Sequence, residues 1–129
     1  YHSDAVLHPV PDTYFERTAD EALRSDVYAE IFLFECENEA AGYGLIAKTY
    51  SQEAGGMVWW IEEVYVREAF RSKGIGREFF AYLDKVKGSA VTRMRLEVEE
   101  DNTRAVALYK KLGYKPLEYA QMIKDAPLK

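Results

Sequence analysis

The sequence predicts an α/β sandwich, in which helices flank a mixed, mostly antiparallel sheet. Three observations lead there. Apolar periodicity runs in the order helix, three strands, helix, strand, helix, strand. The three consecutive strands are separated only by short turns, which implies antiparallel pairing, whereas each later strand is reached through a helix and should pair in parallel or mixed fashion. Finally, 129 residues with 48% hydrophobic and 14% aromatic content supply apolar surface for one continuous core, so residues 1–129 are expected to form a single domain.

The first twelve residues carry no clear period. Thr13 and Glu16 then make a capping-box pattern after Pro11, and Phe15, Ala19, Ala22 and Leu23 recur at helical spacing. Residues 28–35 are dense in β-formers, residues 38–40 read as a turn, and residues 42–50 form a second strand-like run. Gly55 and Gly56 break the chain before residues 57–66, which are almost continuously apolar, as in a strand covered on both faces. Glu62 and Glu63 interrupt that run and call for a reason.

A helix follows residues 71–76, with Ile75, Phe79, Leu83 and Val86 on one side and Gly88 placed as its C-terminal cap. Next, Met94, Leu96 and Val98 alternate with Arg93, Arg95, Glu97 and Glu99, the period of two that separates a buried face from a wetter one. Asp101, Asn102 and Thr103 can cap a second helix, whose Ala105, Leu108 and Leu112 point to the core and which Gly113 ends. A last extended segment is expected over residues 114–124, with Pro116 suited to an edge or bulge.

Charge and composition exclude several functions. A net charge of -5 argues against broad nucleic-acid binding, which needs clustered Lys and Arg, although it would favour cationic amines. No apolar stretch approaches the roughly 20 residues needed to span a bilayer, so no membrane role is expected. Cys36 is alone, which rules out an internal disulfide and suits a reducing cytoplasm, and the thiol reads as a packing residue. His2 and His8 lack metal-site spacing, and no metal or redox cofactor is called for.

The segment Arg71-Ser72-Lys73-Gly74-Ile75-Gly76 leads from a buried strand into a helix. Its glycines let a ligand approach the main chain, and the first amides of the helix have no internal partners and favour an anion. Arg71 and Lys73 add positive charge. A Walker loop would need Gly-Lys-Ser/Thr at its end, and a Rossmann fingerprint would need a third glycine where Phe79 stands.

This turn, the preceding Glu62-Glu63-Val64-Tyr65-Val66 and the stretch from Asn102 through Ala105 and Tyr109 to Gly113-Tyr114 resemble, in order, the GNAT superfamily of N-acetyltransferases. The likeness runs over residues 28–124. It implies a three-layer sandwich with splayed parallel strands at the cofactor cleft, and acetyl-coenzyme A (acetyl-CoA) as cosubstrate. On the same grounds the main chain of Val64, Tyr65 and Val66 would hold the pantetheine arm and the amides of Arg71, Ser72, Lys73, Gly74, Ile75 and Gly76 the diphosphate. Asn102, Thr103 and Ala105 would touch the cofactor, though Asn102 can equally cap its helix.

The resemblance makes Tyr109 the proton donor to the departing thiolate, a role for which a phenol of pKa near 10 is suited because it is protonated at neutral pH. Direct attack also needs a neutral amine; freeing the lone pair of an ordinary alkylammonium costs about 4.6 kcal/mol at pH 7. A carboxylate is the natural acceptor of that proton. Glu62 and Glu63 sit on opposite faces of a regular strand, so only one can face the cleft unless a bulge re-aims them. Analogy with diamine acetyltransferases favours Glu62. The family places a strand and a helix before the helix expected at residues 13–24, where only twelve residues stand. The expectation is therefore that N-terminal elements are missing, or that a second copy in a homodimer completes the sheet. The acceptor is expected to be a small-molecule amine, with a peptide amine or a non-catalytic acyl-CoA-binding role as alternatives.

Overall fold

In a computed structural model that describes residues 12–127, helix α1 (Asp12–Arg24) leads into strands β1 (Ala29–Cys36), β2 (Glu39–Ser51) and β3 (Gly56–Val66). A 3-10 turn (Glu68–Phe70), helix α2 (Ile75–Val86), strand β4 (Val91–Leu96) and helix α3 (Thr103–Lys111) follow. The strands form one sheet in the order β1-β2-β3-β4, antiparallel between β1 and β2 and between β2 and β3, and parallel between β3 and β4. The mixed sheet and its flanking helices are thus those the periodicities predict. Of the described residues, those up to Glu97 make one compact unit and those from Val98 another.

The first hairpin closes through Glu37 and Asn38, both at positive φ (53° and 66°), between the paired Cys36 and Glu39. Two left-handed residues give the turn whose twist matches the flanking strands. In β1, Phe32 and Phe34 stand opposite Gly44 and Gly42 of β2. Gly44 leaves room over the sheet for α2: Phe79 packs 5.6 Å from the Phe32 ring and 5.0 Å from the Phe34 ring, and a Cβ on Gly44 would collide with it. Phe34, Ile46, Trp59, Ile61, Phe79, Phe80 and Leu83 are buried in the core, and Ile46 and Leu83 are wholly enclosed. Gly88, at φ 71°, follows the end of α2 as expected.

Several expectations need correction. Helix α1 begins at Asp12, so Thr13 lies inside it, and Leu23 points to solvent at 87% exposure. Strand β4 stops at Leu96, short of Val98 and Glu99, and the parallel ladder ends with it at Ile61, although β3 continues to Val66. Among the described residues no strand forms over residues 114–124: Pro116 has no N–H to give, no other strand pairs there, and Met122 and Ile123 are 96% and 85% exposed. The irregular start, with His2 and His8, lies outside the described residues.

Candidate active site

Where β3 leaves the sheet, the chain makes the basic turn. Ser72 (φ 66°) and Gly74 (φ 82°, ψ 10°) are left-handed, and helical Ile75 follows Gly74 directly. A left-handed residue followed by a right-handed one aims successive N–H groups into one concavity, an arrangement that holds anions. The first helical bond runs from Glu78 N–H to Gly74 O (3.0 Å), so the amides of the first turn of α2 have no intrahelical acceptor. Arg71, Ser72, Lys73 and Gly74 are exposed. Arg71 Nε donates to Val66 O (2.9 Å), pinning the turn to the strand end, and Lys73 Nζ lies 5.5 Å over the ring of buried Phe70.

Gly76 is informative because nothing in its own fold demands it. It lies within α2 without a positive φ, and among the described residues no atom beyond its chain neighbours and the backbone of its own helix lies within 4 Å of where a Cβ would be. A glycine in a helix costs about 1 kcal/mol relative to alanine. The space it keeps open faces outward beside the unpaired amides, as a ligand pressed against the main chain would require. The turn therefore fits the diphosphate of a nucleotide cosubstrate.

The sheet opens beside the same strand end. Trp59, Trp60 and Ile61 pair with Met94, Arg95 and Leu96, and the parallel ladder ends there. Among the described residues, the rest of β3 keeps only β2 as a paired strand. Arg67 N–H donates to Ala41 O (2.7 Å), which sets the phase of the antiparallel ladder. By its alternation Tyr65 and Glu63 turn their amide and carbonyl groups to β2, whereas Val64 and Val66 turn theirs to the side that β4 has vacated. Of the three residues expected to hold the pantetheine arm, Val64 and Val66 thus turn their main-chain groups to the open side, and Tyr65 turns its groups to β2.

The two glutamates are separated by a device the sequence could only allow for. Leu45 pairs with Glu63 and Ile46 with Ile61, so Glu62 is an extra residue in β3, a β-bulge. The bulge changes the strand's phase: Ile61 points into the core beside Ile46, and Glu63 points to the face away from α2. There Tyr43 donates its hydroxyl to Glu63 Oε1 (2.6 Å) and packs 5.8 Å from the Tyr65 ring. Tyr43 was not foreseen as part of the site, although the hairpin register, once known, places it opposite Tyr65. Glu62 retains access to water, yet partial desolvation and then the charge of Glu97 raise its carboxyl above the usual carboxylate range. Partial desolvation raises Glu63 as well, with the Tyr43 hydrogen bond opposing it.

The second unit carries the remaining candidates on α3. Asn102 caps the helix, its Oδ1 accepting from Ala105 N–H (3.2 Å), with Thr103 as the first helical residue. The C-terminal end is a Schellman motif: Tyr114 N–H donates to Tyr109 O (3.0 Å), Gly113 N–H donates to Lys110 O (3.1 Å), and Gly113 has φ 96°. That turn brings Tyr114 back to an edge-on ring contact with Tyr109 at 6.1 Å. Tyr109 is half-buried, and burial pushes its phenol up from the ordinary value.

Comparison with known proteins decides the family. The model of the acetyltransferase (GNAT) family matches residues 2–114. The chain belongs to the GNAT acetyltransferases. The thialysine N-epsilon-acetyltransferase of Bos taurus is 30% identical, in a match covering 81% of this chain and 69% of that protein. Among solved structures, a protein described as a possible acetyltransferase from Clostridium difficile 630 superposes with a TM-score of 0.80 at 21% identity, covering 94% of this chain and 81% of that one. The aminoglycoside acetyltransferase AAC(6')-Iy, in complex with the bisubstrate analogue CoA-S-monomethyl-acetylneamine, gives 0.75 at 18% identity, covering 94% and 84%. These structures share the fold. As a GNAT N-acetyltransferase, the chain is an acyltransferase enzyme. Among the described residues no group of acids, histidines or cysteines could hold a metal, and no helix is long and apolar enough to cross a membrane.

Proposed function

We propose that residues 1–129 act as one N-acetyltransferase domain of the cytoplasm, moving acetyl from acetyl-CoA to the primary amine of a small molecule by direct attack in a ternary complex. The single observation carrying this reading is the open main chain at the end of β3: a left-handed turn with free helix amides and an empty Cβ position at Gly76, beside a strand whose parallel partner has departed. When bound, acetyl-CoA supplies an acetyl group activated as a thioester. The amides of Arg71, Ser72, Lys73, Gly74, Ile75 and Gly76 bind the diphosphate, with the Arg71 and Lys73 charges beside them. Val64 and Val66 offer main-chain groups to the pantetheine arm. On α3, Asn102, Thr103 and Ala105 flank the cofactor.

Glu62 takes the proton from the acceptor ammonium, directly or through water, because the bulge frees it from the β2 ladder. Glu63, oriented by Tyr43, adds negative charge that favours a cation. Tyr109 holds a proton for the departing sulfur, and its raised pKa keeps it protonated at neutral pH. The thialysine enzyme's name and the acetylneamine in the AAC(6')-Iy complex both point to small amines as acceptors. The test is thiol release from acetyl-CoA with panels of diamines, amino acids, aminoglycosides and peptides. Turnover with a small amine is expected. Turnover with peptides alone, or CoA binding without turnover for any amine, would overturn the reading.

A further inference from the structure

Arg95 occupies the next-to-last rung of the parallel ladder, in register with Trp60, and its guanidinium lies 4.0 Å over the indole. It differs from the other arginines and lysines of the sheet and its margins. Lys48 pairs with Glu30 and Arg93 with Glu53, while Arg67 and Arg71 donate to the carbonyls of Ala40 and Val66. Among the described residues Arg95 has no carboxylate at ion-pair distance. Its guanidinium lies over the indole face, and the residue is half-buried. A guanidinium stacked on an aromatic face keeps its N–H donors in its own plane, so its edge stays free to grip a carboxylate through two parallel hydrogen bonds.

The position of that edge defines what it would grip. Trp60 stands opposite Ala47, which shares a β2 face with Leu45 and Tyr43 and faces away from Gly44 and Phe79. Arg95 therefore lies on the Tyr43–Glu63 side of the sheet, opposite α2. One rung further the strands part, and Glu62 follows, with the charge of Glu97 acting on it. Along the strands the cation and the carboxylates of Glu62 and Glu97 are thus set two residues apart, a backbone rise of about 6.6 Å that is comparable to an extended chain of four methylenes. A molecule with a carboxylate at one end and an ammonium at the other matches this order of charge.

We infer that Arg95, braced by Trp60, is a specificity-determining residue that anchors the acceptor's carboxylate, so that the preferred substrates are amino acids bearing a side-chain amine and not diamines of similar length. This rests on the acetyltransferase reading above. The test compares lysine with 1,5-diaminopentane, identical except for the carboxylate, in the thiol-release assay on the protein and its Arg95→Gln and Arg95→Lys variants. Lysine binding to the CoA-loaded protein is followed calorimetrically alongside. The wild type should favour lysine by at least about 10-fold in kcat/KM, and Arg95→Gln should reduce that ratio by about 10- to 100-fold through the KM for lysine. Arg95→Lys, which keeps the charge but not the fork, should fall between. A wild-type ratio near one, or a ratio unmoved by Arg95→Gln, overturns the inference while the diamine turnover upholds the enzyme reading. Conversely, lysine binding that depends on Arg95 without turnover of any amine upholds the anchor and removes the enzyme reading.

Discussion

Two adjacent glutamates with the same charge and nearly the same place in sequence differ in what surrounds them, and that difference can be read from the pH dependence of the reaction. A carboxylate base works only when ionised, so the acid limb of kcat/KM follows its pKa. Both carboxyls are raised by partial desolvation, which puts the limb above the ordinary carboxylate range in either case. Their second influences have opposite signs. The Glu97 charge raises Glu62, so Glu97→Gln should move the limb to lower pH if Glu62 is the base. The Tyr43 hydroxyl lowers Glu63, so Tyr43→Phe should move the limb to higher pH if Glu63 is. We expect the first shift, measured at saturating acetyl-CoA, and a limb that follows Tyr43→Phe instead would reassign the base. At the alkaline end Tyr109 is the group to watch. Tyr109→Phe keeps the ring and its contact with Tyr114 but removes the proton, and should lower kcat about 100-fold with little change in cofactor affinity. A rate unchanged at every pH would show that Tyr109 only packs.

At the scale of the turn, two glycines two residues apart have opposite reasons to exist, and substitution separates them. Gly74 is left-handed, so Gly74→Ala strains the backbone and should destabilise the free protein by about 1 kcal/mol. Gly76 lies in the helix with free space around its missing Cβ, so Gly76→Ala should stabilise the free protein by up to about 1 kcal/mol while placing a methyl group where the diphosphate would lie. Thermal melts with and without CoA check both, and a Gly76→Ala protein that binds CoA as well as the parent would show that the turn is no diphosphate socket. This element was legible in the sequence because its logic is local: charge, glycine and a helix start within six residues. The hairpin strands and α2 were legible for the same reason, through periodicity and caps. What stayed hidden depends on partners across the sheet. The bulge at Glu62 exists only relative to the count of residues on β2, and the Tyr43–Glu63 bond only relative to the register. The expected strand at residues 114–124 failed on the same principle, since β-formers make a strand only where another strand offers hydrogen bonds.

For the molecule as a whole, the proposed reaction requires that its two compact units serve one ligand. The proposed diphosphate turn and main-chain arm belong to the unit ending at Glu97, whereas Asn102 and Tyr109 belong to the unit beginning at Val98. The family match runs from residue 2 to residue 114 and so includes residues of both. Ligand linkage turns this into a measurement. A ligand that binds only the native state stabilises it by about 2.7 kcal/mol at a hundred times its dissociation constant, and every amide whose exchange requires release of that ligand slows by the same factor of about 100. If the chain is one acetyltransferase domain, CoA should therefore slow exchange at the amides of Ser72, Gly74 and Gly76 and, in the same titration and with the same midpoint, at the Asn102-capped amide of Ala105. Protection confined to the turn would mean that α3 contributes nothing to cofactor binding. The roles given to Asn102 and Tyr109 would then fall together, while the socket at the end of β3 would stand.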